Sequence, residues 1–175
     1  MRPAPDEVPE SLRGYVARVP EADVLEVLAG QVPGLFLFAA GIPSDRETWA
    51  YAPGKWTVRQ VFGHLVDAER VLGFRAFCFA RGESAPLPSF DEDAYVARSG
   101  SADVPLADHV AEFRLLREAN LALLSRLDDT AWSRRGTAAG ATVSVRALAF
   151  GLPGHLRHHL AVLADRYGIR AAPDF

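Results

Sequence analysis

Cysteine is nearly missing: Cys78 is the only one in 175 residues. That excludes an internal disulfide framework and a multi-cysteine zinc site, so a bound metal would have to be held by nitrogen and oxygen. A lone thiol fits a reducing cytoplasm. Long apolar runs are missing as well. No segment approaches the roughly 20 residues that span a bilayer, and the polar, proline-rich stretch from Met1 to Pro9 lacks the apolar region of an export signal. The expectation is a soluble cytoplasmic protein without a membrane partner. Lysine occurs once, at Lys55, and 19 basic against 22 acidic side chains leave a formal charge of −3. Without a basic stripe, DNA and RNA are not expected partners. No glycine-rich phosphate loop, Ser-His-Asp arrangement or paired-carboxylate motif is recognisable.

What is present is a chain with 49% apolar residues, enough to bury a core without staples. One domain over 1–175 is expected, its first twenty residues forming an N-terminal extension. Four segments have helical length and period, separated by stretches rich in Pro, Gly, Ser and Asp. The first runs from about Glu21 to Ala40 on Val24, Leu25, Leu28, Leu35 and Phe38, with Pro33 and Gly34 expected to kink or split it. The second runs from Thr57 to about Arg81; Thr57 and Gln60 read as a capping box, with Trp56 as a staple for the first turn. A long loop, Gly82 to Val104, follows. The third spans about Pro105 to Leu127 on Leu106, Val110, Phe113, Asn120, Leu124 and Leu127, interrupted by Arg117. After a turn from Gly136 to Gly140, the fourth spans Val143 to Tyr167, stopped by Gly168. Helices of this length pack lengthwise, so the predicted fold is all-α: a four-helix bundle with a long loop between helices 2 and 3.

The chemistry lies in histidines. His155 and His159 are four apart and fall on the stripe Val145, Leu148, Leu152, His155, His159, Val162, which the pattern assigns to the buried seam. His64 occupies the equivalent face of the second helix, among Val61, Leu65, Ala68 and Leu72. Three imidazoles thus point at one core. Neutral imidazole is a good ligand for zinc, nickel, iron or copper, and three protein ligands leave a position open for water or substrate. His158 lies about 100° around the helix from its neighbour and is expected to be exposed or to support a ligand from behind. His109 reads as a surface residue. Asp67, one turn after His64, is placed either to orient a histidine or to face solvent.

The stretch Trp56 to Arg75, WTVRQVFGHLVDAERVLGFR, resembles the second helix of the DinB-like or YfiT-like superfamily, in which a tryptophan precedes a metal-binding histidine. PSFDEDAYV at Pro88–Val96, LREANLALLSRL at Leu116–Leu127 and GHLRHHLAVL at Gly154–Leu163 resemble further family segments in the same order. The resemblance implies a four-helix bundle carrying one divalent metal ion on three histidines, here His64, His155 and His159. It also implies a small-molecule substrate and a metal-dependent enzyme, either a hydrolase or a transferase in which the metal activates a low-molecular-weight thiol. Pro153, two residues before His155, is expected to bend the fourth helix just ahead of its first ligand.

Asp91, Arg117 and Asn120 complete the candidate catalytic set. Asp91, with Asp93 on the same loop, could bind a ligand or act as base, or could cap a short helical turn. Arg117 and Asn120 lie on inward stripes, where Arg117 could instead pair with a carboxylate. Arg75 reads as a side chain that snorkels to the surface. Cys78, among Phe74, Phe77 and Phe79, reads as a packed, protonated thiol. A non-catalytic metal-holding or interaction bundle is the alternative function, and such a bundle could pair as a homodimer.

Overall fold

The computed structural model describes residues 2–170. Its helices are α1 (Glu10–Val16), α2 (Val24–Ala40), α3 (Val58–Ala80), α4 (Glu92–Arg98), α5 (Leu106–Leu124), α6 (Asp129–Ser133) and α7 (Val145–Tyr167). A short hairpin of β1 (Arg135–Ala138) and β2 (Ala141–Ser144) precedes α7. The four long helices α2, α3, α5 and α7 form the expected bundle. No described helix is long and apolar enough to cross a membrane.

Local signals set the helix ends. Thr57 and Gln60 form a complete capping box at the start of α3, Ser144 accepts the Ala147 N–H at the start of α7, and Gly168 ends that helix in the left-handed region at φ 67°, each satisfying backbone groups that a helix end leaves free. Pro33 does not split α2, which runs through it. Both Pro33 and Ala29, whose carbonyl loses its helical donor, are exposed, so water can take the freed acceptor.

One feature departs from the sequence reading. The turn between the third and fourth helices is a hairpin, with Ala139 and Gly140 both at positive φ, 51° and 77°, as a two-residue hairpin loop requires. The long loop carries α4, capped by Asp91. The first twenty residues are ordered as far as they are described. There Glu7 is buried, accepting the Ser144 hydroxyl and pairing with Arg146, where a carboxylate also favours the N-terminus of α7.

The core is divided. One apolar cluster gathers Val24 and Leu28 of α2, Leu72, Ala76 and Phe79 of α3, Leu124 of α5 and Val145 to Leu152 of α7. The other gathers Leu35 and Phe38, Val58 to Val66, Leu106 to Phe113 and Leu156 to Leu163 from the same four helices. Between them each helix contributes a polar residue: Gln31, Glu69, Arg117 and His155, all buried. Arg117 is 0% exposed. Its Nε and Nη2 donate to the two Glu69 carboxylate oxygens at 2.8 and 3.0 Å, and Nη1 donates to Gln31 Oε1 at 2.9 Å and the Leu28 carbonyl at 3.3 Å. Asn120 Nδ2 adds a donor to Glu69 Oε1 at 2.8 Å.

A desolvated pair of this kind gains little over apolar packing, but breaking it strands a charge. Arg117→Met alone should therefore destabilise the protein by about 3–5 kcal/mol, while Glu69→Leu with Arg117→Met should recover most of that loss. Urea unfolding of the two single variants and the double variant tests this; an additive double variant would show that the pair is not coupled.

Candidate metal centre

His64 is on the inward face of α3; His155 and His159 occupy successive turns of α7, packed against it. Their Nε2 atoms form a near-equilateral triangle. His64 lies 3.0 Å from His155 and 3.1 Å from His159, and the α7 pair is 3.1 Å apart. Pro153 is absorbed within a continuous α7, and the two rings still share one aim.

Burial holds all three imidazoles neutral at pH 7. Loss of hydration, the largest cause in each, lowers His64 to about 4 and His159 to about 2, and puts His155 well below the ordinary histidine value. Glu92 and Asp93 of α4 oppose the shift at His64, so the acidic turn faces the centre electrostatically. A neutral ring nitrogen either donates or accepts, so three mutually adjacent Nε2 atoms cannot all satisfy one another, which is unfavourable unless a cation lies among them. Nitrogens about 3 Å apart are compatible with a shared ion at Zn–N lengths of about 2.0–2.1 Å. These histidines are the only group of three or more potential ligands among the described residues. Donor set and spacing both fit a divalent metal ion.

Aromatic rings hold the imidazoles in place. The Trp56 ring lies 4.9 Å from His64, Tyr15 meets His155 edge-on at 5.2 Å, and half-buried His158 stacks edge-on with His159 at 5.0 Å. Gly154 lets α1 approach, because a Cβ there would lie 2.1 Å from the Tyr15 carbonyl oxygen. A pocket of about 270 Å³ opens beside His159, lined by Tyr51, Lys55, Trp56, Asp93, Val162 and Tyr167 among others. The Tyr167 hydroxyl donates to the Trp56 carbonyl at 2.7 Å. Burial, and then Tyr51, pushes that phenol up to about 12, so it remains a donor.

The other sequence candidates lie elsewhere. Asp91 is exposed and accepts the Ala94 N–H at 3.0 Å as the cap of α4; its neighbour Asp93 is the loop acid that reaches the pocket. Arg117 and Asn120 are engaged with Glu69. Arg75 donates to the Pro88 carbonyl at 2.7 Å. Asp67 has Arg70, Glu112 and His109 as its electrostatic neighbours, and burial raises its pKa. His109 is not a surface residue: it is buried, with Nε2 3.0 Å from the Ser101 carbonyl, because residues 99–103 fold over it. Burial, and then Glu83, raises Cys78, in keeping with a protonated thiol.

Gln31, Glu69, Tyr15 and the pocket residue Lys55 were not singled out from sequence. Gln31 and Glu69 had a readable signal. The spacing Val24, Leu28, Gln31, Leu35, Phe38 and the spacing Val58, Phe62, Leu65, Glu69, Leu72 each continue a 3-4 progression through one polar residue.

A helical bundle with three convergent, neutral histidines at a pocket defines a class of potential metal-binding proteins. The chain belongs to the DinB superfamily, whose family model matches residues 6–163. Among solved structures it is similar to YfiT from Bacillus subtilis, described as "a probable metal-dependent hydrolase with an unusual four-helix bundle topology". The identity is 21%, the match covers 96% of this chain and 94% of that one, and the TM-score is 0.71. No curated protein matches the chain.

The geometry predicts that His64→Ala, His155→Ala and His159→Ala each lose stoichiometric metal, whereas His158→Ala and His109→Ala keep it. Elemental analysis of protein purified without chelator measures this and names the ion. Full retention in any of the first three would exclude that histidine as a required ligand.

Proposed function

We propose that His64, His155 and His159 hold one divalent ion, zinc or nickel. In this reading the chain is a metal-dependent enzyme that acts on a small molecule in the pocket beside His159, by hydrolysis or by transfer to a low-molecular-weight thiol. The observation that carries the reading is the triangle of neutral Nε2 atoms, 3.0–3.1 Å on each side, with one corner on a pocket wall. Three protein ligands are the number that catalytic sites use, while closed structural sites use four. The description of the similar YfiT structure points the same way.

A bound ion would supply Lewis acidity, lowering the pKa of water or of a thiol or polarising a carbonyl. The chain's own residues prepare that chemistry. The histidines need no deprotonation before binding an ion at neutral pH. Trp56 and Val162 give the pocket apolar wall, and the permanent Tyr167 donor pins the backbone that carries Trp56. Lys55 and Asp93 offer a cation and a proton acceptor at the same pocket. Asp91 acts here by holding the α4 turn, and Arg117 and Asn120 by ordering the core behind His155.

Metal-loaded protein incubated with a panel of electrophiles and activated esters, with and without small thiols, separates the reactions. Thiol-dependent adducts identify a transferase, and thiol-independent product identifies a hydrolase. Either activity should disappear in His159→Ala. Silence across the panel from protein carrying stoichiometric metal would overturn the enzymatic reading in favour of a metal-holding bundle.

A further inference from the structure

The α7 backbone next to His155 is gripped by a side chain from another helix. Gln31 Nε2 donates to the Pro153 carbonyl at 3.1 Å, and both residues are buried. The orientation of that amide is determined. Arg117 is a donor only, so the Gln31 atom it meets at 2.9 Å must be the oxygen, which turns the NH2 toward Pro153. Arg117 is in turn locked by its two-point pair with Glu69, itself held by Asn120. A relay of hydrogen bonds therefore runs from α3 through α5 and α2 to α7. It ends two residues before a member of the histidine triangle.

This is where α7 needs an external hold. Pro153 has no N–H, so the buried Ala149 carbonyl loses its helical donor, and a proline inside a helix bends it and loosens the turn around it. The turn that follows bears His155, whose Nε2 must sit within hydrogen-bond distance of two other imidazoles. On the other side the same turn meets the Tyr15 backbone and ring, and Arg157 beyond His155 binds the Arg18 carbonyl and Glu21 at the helix surface. Elsewhere, outer partners that fix a ligand's aim are worth about ten- to a hundredfold in metal affinity.

We infer that Gln31, oriented by Arg117, is a positioning residue for the metal centre, setting the aim of His155 by holding the Pro153 carbonyl. The inference rests on the reading of the three histidines as ligands. It assigns Gln31 and Arg117 no contact with substrate.

The test uses the full chain loaded with cobalt(II), whose visible spectrum reports ligand geometry. Gln31→Glu keeps an acceptor for Arg117 and removes the donor to Pro153, isolating the last link; Gln31→Met removes both links with little change in volume. Leu124→Ala, a core truncation on α5 outside the relay, is the control for lost stability. Cobalt affinity should fall about ten- to a hundredfold in both Gln31 variants, with a shifted visible spectrum. Leu124→Ala should lower the melting temperature while leaving affinity and spectrum as in the unsubstituted protein. Unchanged affinity and spectrum in Gln31→Glu would overturn the inference. So would equal losses in Leu124→Ala, which would show that affinity follows general stability. If the unsubstituted protein binds no cobalt, the metal reading fails first and this inference with it.

Discussion

The buried pairing of Arg117 with Glu69 is the constraint around which the bundle is arranged. A guanidinium at 0% exposure survives only where nearly every N–H has an acceptor and its charge has a partner. Here the carboxylate comes from α3, a carbonyl and an amide oxygen come from α2, and α5 bears the guanidinium. Apolar side chains can slide along one another with little loss, but this layer has one register. It sets the heights of three helices relative to each other, and through the Gln31 bond to Pro153 it sets the fourth.

That register has a consequence for the histidines. Their nitrogens meet at 3.0–3.1 Å, and they come from two helices, so a slip of α7 along α3 by one residue, about 1.5 Å, would open the triangle. Apolar contacts between α3 and α7 resist separation of the helices more than sliding. The polar layer supplies the axial lock, one turn from the centre. Core and site are thus parts of one construction: the same cross-section that divides the two apolar clusters fixes the geometry of the histidine triangle.

Much of this was legible in the sequence, for physical reasons that differ by element. The four long helices carry apolar residues at a 3-4 spacing over five or six turns, and caps such as Thr57–Gln60 mark their ends. Amphipathic period needs no knowledge of partners. The three histidines were readable because they occupy seam positions. Gln31 and Glu69 occupy seam positions too, but a Gln or Glu has no fixed chemistry until its partner is known, and Arg117 lies some fifty to ninety residues away. The hairpin was hidden because strands of four residues, RGTA and ATVS, are too short to show alternation, and its turn uses Ala139 where Asn or Asp would have announced it. His109 was misjudged because its burial depends on the loop at 99–103, whose path periodicity does not describe.

Pro153 shows how a local fault and a tertiary contact are matched. In α2 the helix tolerates Pro33 because the orphaned Ala29 carbonyl is exposed to water. In α7 the equivalent carbonyl, that of Ala149, belongs to a residue at 0% exposure, and water is not at hand. A buried proline there costs a hydrogen bond and local stiffness just before His155. At this turn the glycine at 154 lets α1 sit against the helix and the Gln31 amide reaches the Pro153 carbonyl. A helix without proline would keep the turn before His155 in its own hydrogen-bond ladder. Here the aim of that ring is delegated to neighbouring helices, so the geometry of the centre depends on the assembled bundle as a whole.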